Sequence, residues 1–345
     1  MDVHLLVLNY NGRRLLAECL PSVVQAAANS RFACQVAVID NASSDDSLAW
    51  LAEHCPDVPV INCPNRSLCS FNEVLPRLSG PVAVLLNNDI KLAADCIDPL
   101  VAPLLERTPD YDPTCFMTAP LCRQFDGCTY EGFRTAVQWR WGLVQATALY
   151  PGHEAAIDLP GLTASAGAAM AVDRRKFIEL GGFDPLYLPG RLEDLDFAFR
   201  AYLAGFHARY VPASVAYHRG MGTFAAVFGA AACDRLALRN TLLFQWKNLR
   251  SPGNWFRQLT GLPLRLLADV CRAPWTRRPR RYAFARALLG ALLRVGQARV
   301  SQFRVKDNQT RERDFFQRFH PRQIGRSATL RKWHTPARSE SREVV

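Results

Sequence analysis

Through the first half of the chain, short apolar runs alternate with segments of helical period. Val3–Leu8, Val36–Ile39 and Val82–Leu86 are apolar runs of strand length, and such runs bounded by turn residues predict interior strands. Between them, Leu15 to Val24 and a stretch carrying Leu48 and Leu51 predict crossover helices, with Ser43 and Asp46 at capping-box spacing ahead of the second. The alternation predicts an α/β fold with a mostly parallel central sheet flanked by helices. Each run ends in a polar cluster: Asn9-Tyr-Asn-Gly12, Asp40-Asn-Ala-Ser-Ser-Asp-Asp-Ser47, and Asn87-Asn88-Asp89. Ligands of open α/β sheets bind beyond the carboxyl ends of the strands, so Asn9, Asp40 and Asp89 are expected to face one crevice. Taken singly, Asn, Asp and Ser are also ordinary turn residues.

A second pattern centres on Gly181-Gly-Phe-Asp184 and the helix after it. Leu195, Phe199, Tyr202 and Phe206 recur at helical spacing, with Gly205 as a C-terminal stop. This places Glu193 and Asp194 in the first turn. Positive charge at a helix N-terminus favours ionised carboxylates, while repulsion between neighbours raises one pKa. Such a pair suits a catalytic base, and equally an ordinary helix cap. Strand-like Ala208–Val211 is followed by Tyr-His-Arg-Gly-Met-Gly222, read as a flexible loop in which His218 can ligate a metal and Arg219 can hold a phosphate oxygen.

Charge divides the chain. The total is +11, but residues 1–225 hold 17 basic and 24 acidic side chains, against 25 and 7 in the remainder. A basic C-terminal third predicts attraction to an anionic surface. There Trp255, Leu259, Leu262, Leu266 and Val270 form a helical stripe limited by Pro263, and Ala283–Val295 is a further apolar helix containing arginines. Apolar helices beside dense arginine suit an anionic membrane interface, although Leu289 and Leu293 opposite Phe284 and Leu288 also suit packing on the body. No uncharged apolar run is long enough to span a bilayer. The 11 cysteines lack CxxC spacing, which predicts reduced thiols and a cytoplasmic chain. The expected organisation is a catalytic domain at 1–225, a basic helical region at 226–325 and a disordered tail at 326–345. Zinc spacing and RNA-binding aromatic motifs are missing, which argues against nucleic acid as partner.

The first turn has one glycine, so a G-x-G-x-x-G dinucleotide site is not predicted, and no Walker motif is present. A divalent cation held by Asp89 is an alternative device for an anionic ligand. The motifs Leu8-Asn-Tyr-Asn-Gly12, Val38-Ile-Asp-Asn-Ala-Ser-Ser-Asp45, Leu85-Leu-Asn-Asn-Asp89, Gly167-Ala-Ala-Met170, Gly181-Gly-Phe-Asp184, Glu193-Asp194 and Tyr217-His-Arg-Gly220 together resemble family 2 glycosyltransferases, the rhamnosyltransferase-like branch in particular. The resemblance covers about residues 3–224.

It implies a GT-A fold and inverting hexosyl transfer from a nucleotide-diphosphate sugar to a hydroxyl on a lipid-linked or polysaccharide acceptor, in cell-surface glycan synthesis. By position it implies donor contacts from Asn9, Asp40, Asn41, Asn72, Asn87, Asn88 and Arg219, a Mg²⁺ or Mn²⁺ site at Asp89 and His218, and Asp194 as base with Glu193 orienting the acceptor. The stretch Asn65–Asn72 lacks the glycines expected there, and Arg191-Leu192 replaces a frequent aromatic residue, which marks Arg191 as an acceptor-side candidate. A nucleic-acid-binding protein or a non-catalytic nucleotide-sugar-binding scaffold is the competing expectation.

Overall fold

The computed structural model describes residues 2–220, 228–277, 280–300 and 308–324. The expected tail at 326–345 lies outside them. Strands β1 (Val3–Asn9), β2 (Cys34–Asp40), β3 (Val60–Asn62) and β4 (Val82–Asn87) run parallel in spatial order 3-2-1-4. Helices α1 (Arg13–Asn29) and α2 (Ser47–His54) make the first two crossovers. Short β5 (Ile90–Leu92) follows β4. Val- and Leu-rich runs, broken in β1 only by His4, form β1 and β4 because both faces of these strands are buried.

Past β4 the sheet changes direction. Strand β11 (Ala169–Asp173) lies antiparallel to both β4 and β6 (Cys115–Gln124), and long β12 (His207–His218) runs parallel to β6. Strand β7 (Tyr130–Gly132) pairs with the end of β6, and β10 (Gly161–Thr163) closes the far edge against β12. Strands β8 (Ala136–Arg140) and β9 (Leu143–Thr147) form a separate hairpin. The whole is a curled, mostly parallel sheet between helices, including the short α3 (Ser70–Val74), α4 (Ile97–Val101) and α5 (Arg174–Glu179).

Helix α6 (Glu193–Leu203) lies between two cores. Phe197, Ala198 and Ala201 belong to the core around the sheet, whereas Leu195, Phe199, Tyr202 and Leu203 belong to a second core. A helix flanked on both sides buries more than one face, so the predicted stripe marks only one of them. Gly205 takes a left-handed φ of 95° just past its end, as the stop signal requires.

The second core also crosses position 225. Helix α7 (Ala230–Asn248) contributes Leu242, Leu243 and Phe244, and α11 (Asn308–Arg318) contributes Phe315 and Phe316. The helical region is therefore not a separate body, because its apolar face completes the packing of α6. Helices α8 (Pro252–Arg272), α9 (Ala283–Leu292), α10 (Val295–Val300) and α12 (Pro321–Ile324) make up the rest. Among the described residues, no helix is long and apolar enough to cross a membrane.

Candidate functional site

Parallel pairing puts the polar strand ends side by side. Asn9 registers with Asp40, and Leu8 with Asn87. Buried Asn9 donates to Asp40 Oδ1 at 3.1 Å and accepts from Asn88 Nδ2 at 2.8 Å. Ser43 completes this network, donating its hydroxyl to Asp40 Oδ1 at 2.6 Å and its amide to Oδ2 at 2.9 Å. Its side chain thus serves the strand ends and not a helix cap; the N-cap of α2 is Asp46, which makes no side-chain cap bond. Asn41 accepts from Ser70 Oγ at 2.5 Å and donates to Ser67 O at 3.2 Å, tying α3 to the end of β2. Gly12 is required at the turn, since a Cβ there would strike the Asn88 amide that grips Asn9.

Strand β12 brings His218 to this end of the sheet. His218 registers with Ile90 of β5, directly after Asp89, and is therefore part of a strand and not of a flexible loop. Its Nε2 lies 3.4 Å from Asp89 Oδ2, and its Nδ1 lies 2.5 Å from Glu131 Oε1 on β7. Burial pushes the His218 pKa down, but Asp89 and Glu131 outweigh it and the net shift is upward. Asp89 Oδ1 is buried without a hydrogen-bond partner. These features fit a divalent cation. Two cis ligands of an octahedral ion at about 2.1 Å lie about 3 Å apart, and a carboxylate on the second ring nitrogen is the usual support for a ligating histidine. No cluster of three or more His, Cys, Asp or Glu ligands occurs among the described residues, so Asp89 and His218 would form a two-ligand site open to water and phosphate oxygen.

The loop between β10 and β11 connects these strand ends to the acidic pair. Ala168 O accepts from Asn87 N at 2.9 Å, and Ser165 Oγ donates to Asp194 Oδ2 at 2.6 Å. Glu193 and Asp194 are the first two residues of α6, preceded by Arg191 and Leu192 at φ 81° and 76°. Left-handed non-glycine residues cost on the order of 1–3 kcal/mol each, and this pair is held from outside. Asn240 of α7 places its Nδ2 within 2.7, 2.8 and 2.9 Å of the carbonyl oxygens of Tyr187, Gly190 and Arg191.

The helix N-terminus does not keep the pair acidic, as the sequence pattern suggested. Burial dominates and raises both carboxyls, Glu193 to about 8 with help from the Asp194 charge, while the Ser165 hydroxyl and the Arg191 charge oppose the rise at Asp194. Glu193 is thus largely protonated at neutral pH. In the folded state it binds its proton more tightly than in the unfolded chain, so its contribution is full at acid pH and is lost as pH rises toward 8. Glu193→Gln, which keeps the neutral form, is expected to flatten the fall in stability between about pH 5 and 8, by on the order of a few kcal/mol in denaturant titrations. An unchanged pH slope would refute the raised pKa.

A buried ion cluster underlies α6. Lys247 of α7 lies 2.6 Å from Asp184 Oδ2 and 2.8 Å from both oxygens of Asp196. Asp196 also accepts from Tyr187, Arg200 and Asn248. No motif signalled Glu131, Ser165 or Lys247; only the folded chain brings them in.

Two donor-side expectations are redirected. Asn72 uses its amide against the backbone of Phe183, donating to the carbonyl at 2.7 Å and accepting from the N–H at 2.9 Å. Arg219 turns away to Glu18 of α1 at 2.9 Å and lies exposed. Asn9, Asp40, Asn41, Asn88 and Asp89 remain together, with Asn87 at the end of β4.

Comparisons with known proteins support the fold. Residues 5–117 match the family described as Glycosyl transferase family 2. The chain is 25% identical over 199 residues to a putative polypeptide N-acetylgalactosaminyltransferase 10 of Drosophila melanogaster, covering 54% of this chain and 31% of that protein. GalNAc-T7, solved with UDP, GalNAc and Mn²⁺, superposes with a TM-score of 0.54 at 19% identity, over 83% of this chain and 55% of its own. The mannosyltransferase PcManGT from Pyrobaculum calidifontis, solved with GDP-Man and Mn²⁺, gives 0.51 at 18% identity, over 86% and 88%. The chain thus spans about a third of its curated relative and about half of GalNAc-T7. Residues 5–117 are thus similar to glycosyl transferase family 2, in a chain whose fold is that of GT-A glycosyltransferases.

Proposed function

We propose that the chain is an inverting glycosyltransferase that transfers a hexosyl group, rhamnose by branch resemblance, from a nucleotide-diphosphate donor to a hydroxyl of a lipid-linked or polysaccharide acceptor in the cytoplasm. The observation that carries this reading is the loop at 164–168, whose two bonds join the Asn87–Asp89 strand end to Asp194. In the proposed step Asp194 takes the acceptor hydroxyl proton, the acceptor oxygen bonds to the sugar's anomeric carbon, and that carbon's bond to the diphosphate breaks. The nucleoside diphosphate leaves with the bonding electrons. Glu193, protonated beside it, donates a hydrogen bond to the acceptor, and Arg191 borders the pair. Asn9, Asp40 and Asn41 shape the donor side.

A Mg²⁺ or Mn²⁺ ion held by Asp89 and His218 would neutralise charge on the leaving diphosphate. The naming of Mn²⁺ with UDP or GDP-Man in the two structural neighbours supports a divalent cation beside a nucleotide donor.

Calorimetric titration with nucleotide-diphosphate sugars, with and without Mn²⁺ or Mg²⁺, tests the reading. Metal-dependent donor binding is expected. Glu131→Gln, which removes the support on His218 Nδ1, is expected to weaken metal affinity about 10–100-fold. A parent protein that binds none of these donors would overturn the enzyme assignment.

A further inference from the structure

Helix α8 is apolar on two faces. Toward the body, Asn254 and Gln258 are buried and Leu262 and Leu266 pack on the second core. Toward solvent, Phe256, Leu259, Leu267 and Val270 are 69, 67, 61 and 50% exposed, at spacings that place them on one side of a helix. Trp275 just beyond is 85% exposed. Helix α9 packs alongside: Ala285 N donates to Asp269 Oδ2 at 3.0 Å, and the Arg265 guanidinium sits 5.6 Å from the Phe284 ring centre. It exposes Leu289 at 60%, and Leu293 just past its end is 80% exposed. Single exposed apolar side chains are ordinary, but a contiguous set marks an interaction surface.

Charge identifies the occupant. Residues 255–299 hold ten arginines and one acidic residue, Asp269, whose carboxylate is engaged by the α9 backbone; Arg265 and Arg294 turn to carbonyls of the body and Arg280 pairs with Asp234, while Arg272, Arg277 and Arg286 are exposed. A nucleic acid would engage the arginines and leave Phe256 and Leu267 in water. A second copy would cover the apolar side chains but bring two strongly cationic faces together. An anionic bilayer interface takes apolar side chains and arginines at once, and it favours an exposed tryptophan such as Trp275 at the headgroup level.

We propose that the exposed face of α8 and α9 is a docking surface for an anionic lipid bilayer, lying in the interface without crossing it. The surface is separate from the residues of the transfer site, so its test does not depend on that reading.

Flotation of the full chain with phosphatidylcholine vesicles, with and without phosphatidylglycerol, reads it directly. Binding to the anionic vesicles, reduced by high salt, is expected. The double variant Phe256→Asp, Leu267→Asp is expected to lower the bound fraction at least tenfold at an unchanged melting temperature, because both side chains are exposed. Arg272→Gln and Arg286→Gln each lower affinity roughly fivefold, about 1 kcal/mol per charge near the surface. Failure of the parent to float with anionic vesicles at low salt overturns the proposal, as does undiminished flotation of the double variant. Light scattering that shows a lipid-free dimer dispersed by the double variant, without flotation of the parent, would assign the face to a second copy instead.

Discussion

Asp194→Asn is expected to lower transfer turnover by about 10²–10⁴-fold while leaving metal-dependent donor binding intact. Asparagine matches aspartate in shape and can still meet Ser165 Oγ, now 2.6 Å from Asp194 Oδ2, but it cannot accept the acceptor proton. The raised pKa of Asp194 strengthens it as a base once ionised. Turnover should therefore rise with pH through that pKa, and this rise should be absent from the variant. Glu193→Gln gives the contrast. A group with a pKa of about 8 already carries its proton at neutrality, so the amide is expected to retain most of the turnover. Steady-state rates paired with donor calorimetry decide the matter: parent-like turnover in Asp194→Asn refutes the base assignment, and a loss confined to Glu193→Gln transfers the role to Glu193.

The parts of this site that sequence reasoning could reach are those with local, periodic origins. Asn9, Asp40 and Asp89 end apolar runs, and parallel pairing of such runs leaves their ends at one edge of the sheet. Asp194 was reachable because a helical period starts at it. Glu131 had no such signal: it sits on a three-residue strand, 87 positions from the His218 it supports. Arg219 pairs with Glu18 for a geometric reason. Successive side chains of an extended chain point to opposite sides, so with His218 turned to Asp89 its neighbour reaches outward to Glu18. Asn72 has the right residue type at the expected place, yet long-range packing gives both ends of its amide to Phe183. The C-terminal helices looked separable because their charge differs from that of the body, and charge says little about which apolar face is covered. Residues Leu242 to Phe244 complete the second core against α6.

Lys247→Ala is expected to destabilise the fold by about 3–5 kcal/mol, the usual effect of removing one partner from a buried ion pair. Lys247 is 1% exposed and Asp196 fully buried, and the ammonium meets Asp184 as well as Asp196. Without it, Asp184 loses its ammonium partner and Asp196 keeps the guanidinium of Arg200, at 2.8 Å, as its cation. Burial alone would raise the Asp196 pKa, but Lys247 and Arg200 outweigh it and hold the carboxyl well below the usual range. A carboxylate depressed in the folded state contributes stability above its unfolded pKa, near 4, and loses it as pH falls below that value. The parent should therefore lose stability in acid, and Lys247→Ala should show a smaller acid-dependent loss because part of the depression has gone. Denaturant titrations from pH 7 to 3 measure both effects, and a neutral-pH loss below about 1 kcal/mol, the range of an exposed pair, would contradict the cluster. The consequence reaches the site through covalent neighbours. Asp184 accepts from Leu186 N at the head of the segment leading to Arg191, and Asp196 lies two residues after Asp194. The variant should accordingly show a fall in turnover under conditions where it is still folded, since the backbone that aims Asp194 is held from both ends by the side chain it has lost.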